Sequence, residues 1–114
     1  MPPESVPSPL ERRHLIEKDL PAEKRLALAE AYLADGRVAE ALVFLEQAGA
    51  RDRLEGLAND AETSGDAFIF KAVFQALGEE PPSSRWAALA ENAERAGKLR
   101  HAETARRQAT RQDD

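Results

Sequence analysis

Five glycines divide most of this 114-residue chain into segments of similar length. They are Gly36, Gly49, Gly65, Gly78 and Gly97. Glycine commonly follows the end of a helix, because the chain needs a positive φ there. The spacing therefore predicts short helices separated by tight turns. The predicted helices span residues 21–34, 37–48, 53–63, 67–77, 84–96 and 98–111.

Another helix is predicted before the first of these segments, from Ser8 to about Lys18. Ser8 can cap it, Pro9 suits the first helical position, and Glu11 completes a capping box. Residues 1–7 contain three prolines and no periodicity, so we expect a flexible tail there. Asp52 and Asp66 are expected as caps of later helices.

The composition favours helices and argues against strands. Alanine contributes 22 residues and leucine 13, against four valines and two isoleucines. Alanine is the best helix former, whereas β-branched residues are enriched in strands. Short loops require neighbouring helices to be antiparallel. We therefore expect an all-α antiparallel helix-hairpin array of about seven helices.

Charge and residue usage exclude several classes of function. The chain has no cysteine and a net charge of −5. An acidic chain repels phosphates, so nucleic acid is an improbable partner, although a basic C-terminal helix could touch RNA or an acidic protein. No apolar run spans a membrane and no secretory signal is evident, which makes a cytoplasmic location the default. We expect no cofactor.

A repeated pattern emerges when the segments are aligned on their glycines. A Leu-Ala pair begins each copy, and a residue with a ring or a small side chain stands three positions after the alanine. The pairs are Leu28-Ala29, Leu57-Ala58 and Leu89-Ala90, followed by Tyr32, Ala61 and Ala93. In the next helix, Ala41, Phe70 and Ala102 occupy one equivalent position, and Leu45, Phe74 and Arg106 another.

This pattern resembles the tetratricopeptide repeat over about residues 22–110. Trp86-x2-Leu89-Ala90 matches the start of its motif, and Leu28-Ala29-x2-Tyr32 with Ala41-x3-Leu45 matches most of the rest. The spacings of 29 and 32 residues are shorter than the usual 34, and the middle unit is degenerate. The resemblance implies an α-solenoid within a single domain of residues 8–112, with units at about 21–49, 52–78 and 83–111. Another α-hairpin array is the alternative.

The resemblance also implies a concave groove, lined by the first helix of each unit, that binds a protein or peptide partner. Spacing relative to each repeat leucine places twelve residues on this face, seven of them acidic and none basic. They are Glu23, Leu26, Glu30, Leu33, Asp52, Glu55, Asn59, Glu62, Ser84, Ala87, Glu91 and Glu94. A basic or amphipathic partner would suit such a groove. The resemblance also implies a test: family members that bind the C-terminal carboxylate of a chaperone do so with lysines and arginines in the groove, and this face has none, so that role is not expected. Simple solvated helix faces are the other interpretation.

The apolar run at 68–77 offers a second candidate surface. Phe70, Phe74 and Leu77 can share one core-facing side of a helix, so Phe68 should point elsewhere. Ile69 and Val73 widen the apolar stripe. We expect Phe68, Ile69 and Val73 either to pack against a neighbouring helix or to contact a partner, including a second copy of the chain.

Enzymatic activity is not expected. His14 and His101 are 87 residues apart, and neither stands in a metal-ligand spacing. Each glycine is isolated, so no phosphate-binding glycine loop is present. A protein-interaction module, acting as an adaptor or dedicated chaperone, is the first hypothesis, and a self-assembling structural element is the second.

Overall fold

The structure is a computed structural model that describes residues 6–113, and within that range it contains seven helices and no strand. The helices are α1 (Pro9–Glu17), α2 (Ala22–Ala34), α3 (Val38–Gln47), α4 (Arg51–Ser64), α5 (Ala67–Leu77), α6 (Ser83–Arg95) and α7 (Leu99–Asp113). The all-α prediction is confirmed. None of these helices is long and apolar enough to cross a membrane. Residues 1–5 of the predicted tail lie outside the described range.

Most of the predicted helix boundaries agree with the structure. Ser8 caps α1 by accepting a hydrogen bond from the Glu11 amide, and Asp66 caps α5 by accepting one from the Ile69 amide. All five predicted stop glycines have a positive φ, between 66° and 76°. The prediction for Asp52 was wrong, because α4 already begins at Arg51 and Asp52 lies inside its first turn. A carboxylate there still favours the helix dipole.

The chain divides into two compact units, Met1–Arg53 and Leu54–Asp114, with the boundary in the first turn of α4. In the first unit, α2 packs against α3. Tyr32 and Phe44 are both fully buried, and their rings stack with centroids 5.9 Å apart. Ala29 and Ala41 are also fully buried, which allows the helices to approach closely.

Helix α1 is attached to the first unit mainly by polar contacts, since none of its residues is buried. The guanidinium of Arg25 donates to the carbonyl of Lys18 at 3.0 Å and to the carbonyl of Gln47 at 3.3 Å. The Gln47 side chain donates to the carbonyl of Ile16, and Arg12 donates to the carbonyl of Glu40. Three of these acceptors, the carbonyls of Ile16, Lys18 and Gln47, lie at helix C-terminal ends, where the backbone carbonyls have no partner within the helix.

In the second unit, α7 packs against both α5 and α6. The core centres on Trp86, which is 1% exposed and meets the Phe70 ring edge-on at 4.9 Å. Phe70 and Phe74 are buried with it, as the sequence predicts, and so is Leu77. Helix α7 contributes only small side chains to this core, Ala102 and Ala105.

The turn between α4 and α5 is held by residues of α6 and of the turn that follows α6. Asn92 donates to the Glu62 carbonyl at 2.9 Å, and the Lys98 ammonium donates to the Ser64 carbonyl at 2.7 Å. Gly65 lies against the backbone of Ala93, so close that an added Cβ would be 2.5 Å from the Ala93 Cα. The start of α5 is therefore fixed both by hydrogen bonds and by backbone contact.

Candidate functional site

The exposed aromatic side chain of Phe68 stands at the start of α5, directly after this anchored turn. Its side chain is 60% exposed, as expected for a residue that points away from the core. The imidazole of His101, on α7, contacts the Phe68 ring with the centroids 4.8 Å apart and the planes tilted by 59°. We call Phe68, Ile69 and His101 the Phe68 surface. Ile69 is half-buried.

The imidazole of His101 is held in place by the backbone at the start of α5. Its Nδ1 accepts a hydrogen bond of 3.0 Å from the backbone amide of Ala67, the first residue of α5. Because Nδ1 is the acceptor, the neutral imidazole carries its proton on Nε2. The carboxylate of Asp66 lies 3.9 Å from the same nitrogen. The ring that supports Phe68 therefore has a defined orientation.

Val73 does not belong to the exposed surface: of the two alternatives stated for it, its burial agrees with packing inside the protein and not with contact to a partner. Val73 is fully buried. The buried stripe on α5 is therefore wider than the face formed by Phe70, Phe74 and Leu77. Sequence alone indicated the wide stripe but not which of its residues a neighbouring helix covers.

The predicted acidic face is largely engaged by arginines that the spacing analysis missed. Arg53 forms a bidentate ion pair with Glu30, at 2.9 and 3.1 Å. Arg85 donates to Glu62 at 2.6 Å and to Asn59 at 2.9 Å, while its guanidinium lies over the rings of Phe70 and Phe74. These residues therefore do not present free negative charge.

Two further acidic residues of that face have arginine partners on the second unit. Glu94 pairs with Arg106, and Glu91 lies 3.9 Å from Arg95. Glu91, Glu94 and Arg95 together line a shallow depression of about 300 Å³. Glu23 and Glu55 are exposed, and Leu33 is half-buried.

The two main arginines occupy equivalent repeat positions. Arg53 stands four residues before Leu57, and Arg85 stands four residues before Leu89. Their partners Glu30 and Asn59 each stand two residues after the repeat leucine of the preceding copy. The sequence signal for these two contacts is a basic residue at the fourth position before the repeat leucine.

Arg53 holds the pKa of Glu30 below its ordinary value of 4.5, chiefly through the hydrogen bonds from its guanidinium. Because the pKa of this carboxyl is lower in the folded state, the ion pair stabilises the fold at pH values above the ordinary pKa. That stabilisation disappears as the pH falls through the folded-state pKa. We expect Glu30→Gln to be less stable than the wild type at pH 7, by up to about 1 kcal/mol. The difference in the free energy of unfolding between the two proteins should disappear when the pH is below the folded-state pKa of Glu30. The measurement is denaturation followed by circular dichroism, repeated from pH 7 down into this acid range.

Glu23→Gln is the matched control for that titration. Glu23 lies on the same helix, is exposed and has no ion-pair partner among the described residues. Its replacement removes the interaction of one first-turn carboxylate with the helix dipole but no ion pair, so its pH dependence should be smaller than that of Glu30→Gln. If Glu30→Gln and Glu23→Gln gave the same pH dependence, the Arg53 pair would not be the cause.

Searches of family models, of curated proteins and of solved structures found no match to this chain.

Proposed function

We propose that this chain is a helical-repeat protein-interaction module that binds its partner through the Phe68 surface. The observation that carries this proposal is the Phe68 ring, which is 60% exposed yet held against a fixed imidazole. Aromatic side chains supply much of the binding energy of protein interfaces. A ring that is already ordered loses little entropy on binding.

The surroundings of Phe68 support this assignment. The residues before it are tied to α6 and α7 through Gly65, Lys98 and His101. A partner that contacts Phe68 therefore meets a preorganised surface rather than a mobile loop. Leu99, also on α7 and two residues before His101, is 67% exposed and offers further apolar area on the second unit.

The acidic face is the less favoured contact surface. Glu30, Glu62 and Glu94 already have arginine partners. A basic segment would have to displace those arginines, and the gain from exchanging one exposed ion pair for another is small. We therefore propose that the partner is recognised through apolar contact, instead of through the basic segment that the sequence suggested.

We further propose that the helices form an antiparallel array of the tetratricopeptide type. Its support is the repeated arginine contact at equivalent positions, together with Leu28, Leu57 and Leu89 at the start of each copy. Such arrays present extended binding surfaces, because each repeat contacts only its neighbours.

A charge on the Phe68 surface should abolish partner binding. Wild type and Phe68→Glu are immobilised and exposed to lysate of the source cell. We expect the Phe68→Glu protein to capture at least tenfold less of a specific partner than the wild type, because burying an unpaired carboxylate opposes association. The measurement is quantitative mass spectrometry of the captured proteins. Gln75→Glu, at an exposed position of the same helix, is the matched control and should capture the partner normally.

The same variants address the self-assembling alternative. If the Phe68 surface closes a dimer, light scattering should show a dimer for the wild type and for Gln75→Glu, and a monomer for Phe68→Glu. Capture of the same proteins in equal amounts by all three folded proteins, together with an unchanged association state, would remove the Phe68 surface from both functions.

A further inference from the structure

A second candidate surface lies on the first unit, where the end of α1 meets the start of α2. A groove of about 360 Å³ is present there. Four of its six lining residues are apolar and the other two are lysines. They are Leu15, Lys18, Leu20, Lys24, Ala27 and Leu28.

The groove is open rather than enclosed. Leu15, Leu20 and Leu28 are half-buried, and the other three lining residues are exposed. Side chains inserted from a partner could cover this aliphatic floor and remove it from water. A long acyl chain would leave much of its length in water, because no buried residue encloses the groove.

The two lysines are the charged residues that line the groove. Neither ammonium group has a hydrogen bond or an ion pair among the described residues. In the same unit, by contrast, the guanidiniums of Arg25 and Arg37 are hydrogen-bonded. An unpaired ammonium beside an apolar floor is available to pair with a carboxylate that arrives with an apolar side chain.

The position of Lys24 strengthens this charge. Lys24 is in the first turn of α2, where the helix dipole already places partial positive charge and where a cation is disfavoured. The helix is capped by Pro21, which makes no side-chain hydrogen bond to its free amides. Glu23 lies in the same turn but does not line the groove. A carboxylate bound in the groove would therefore face Lys24 and the partial positive charge of the helix start.

We propose that this groove, which we call the lysine groove, binds an acidic amphipathic segment of a partner protein. The aliphatic side chains of that segment lie on Leu15, Leu20 and Leu28, and its carboxylates pair with Lys18 and Lys24. This site is on a different unit from the Phe68 surface, so it goes beyond the proposed function. Its failure would leave the Phe68 proposal standing.

The test uses amide NMR spectra of the full chain during titration with synthetic peptides. The probe is a helical peptide of about 14 residues built from leucine and glutamate, long enough to be partly helical. Two matched peptides replace every glutamate by lysine, or every leucine by serine. We expect the acidic leucine peptide to shift the amides of residues 15–28, and the other two to bind at least tenfold more weakly.

Charge reversal then locates the binding site. Lys18→Glu/Lys24→Glu should weaken binding of the acidic peptide by at least about tenfold, because two attractive contacts become repulsive. The control Lys71→Glu/Arg100→Glu changes the net charge equally, at two exposed positions of the second unit, and should bind normally. All proteins are first checked for an unchanged circular dichroism spectrum and melting temperature.

Four results would overturn the proposal. The first is no shift at residues 15–28 with millimolar acidic peptide, and the second is an equal loss of binding in the control variant. The third is equal binding of the serine peptide, which would show attraction by charge alone. The fourth is saturation of the same amides by decanoate at concentrations where the peptide has no effect, which would assign the groove to a lipid anion.

Discussion

Gly65→Ala should lower the free energy of unfolding of the second unit by about 2–5 kcal/mol. Two costs add at this position. A non-glycine residue at a φ of 76° costs about 1–2 kcal/mol. The new Cβ would also lie 2.5 Å from the Cα and 2.7 Å from the N of Ala93, and these are backbone atoms that no side-chain rotation can move. Overpacking of this kind costs about 1–3 kcal/mol.

Gly36→Ala is the control for this prediction. Gly36 has nearly the same φ, 74°, but nothing lies within 4 Å of its added Cβ. It should show only the backbone cost, about 1–2 kcal/mol. Urea denaturation followed by the fluorescence of Trp86, the single tryptophan, reports on the second unit, and circular dichroism reports on the whole chain. Equal effects of the two substitutions would contradict the close approach of Gly65 to Ala93.

Trp86→Ala should destabilise the second unit by about 3–5 kcal/mol, a substantial part of the stability of a small domain. The indole is the largest fully buried side chain, and it contacts the edge of Phe70. Its removal leaves a cavity beside Phe70 that the helices can fill only by moving. Because this variant lacks its fluorophore, unfolding is followed by circular dichroism.

Trp86→Phe and Phe68→Ala complete that measurement. The Nε1 of Trp86 is buried and has no hydrogen-bond partner among residues 6–113, so phenylalanine removes an unsatisfied donor and should cost less than alanine. Phe68 is largely exposed, so Phe68→Ala should change stability by no more than about 0.5 kcal/mol. A large loss at position 68 would show that this ring stabilises the fold, and would weaken its assignment to binding.

The helices could be predicted from sequence because their signals are local. A glycine with a positive φ, a capping Asp66 and a phenylalanine pair four residues apart each act within one or two turns. Asp52 was misplaced because α4 begins at Arg51, so the residue before the helix is Ala50, which has no side-chain acceptor, and Asp52 already lies inside the first turn.

The contacts between helices could not be predicted from the same signals. The pairing of Arg85 with Glu62 joins residues 23 positions apart, and the residue spacing within one helix carries no information about such a contact. The burial of Val73 depends on how the neighbouring helices pack against α5. The lysine groove depends on the docking of α1 through Arg25, a polar contact that leaves no hydrophobic pattern.

Site-specific photo-crosslinking tests the central claim most directly. A photoreactive benzoylphenylalanine at position 68 keeps an aromatic ring there, and the same residue at the exposed position 75 of α5 is the control. We expect irradiation in the source cell to give one dominant protein adduct from position 68 and none from position 75. The absence of any adduct at position 68, or the same adducts from both positions, would contradict binding through the Phe68 surface.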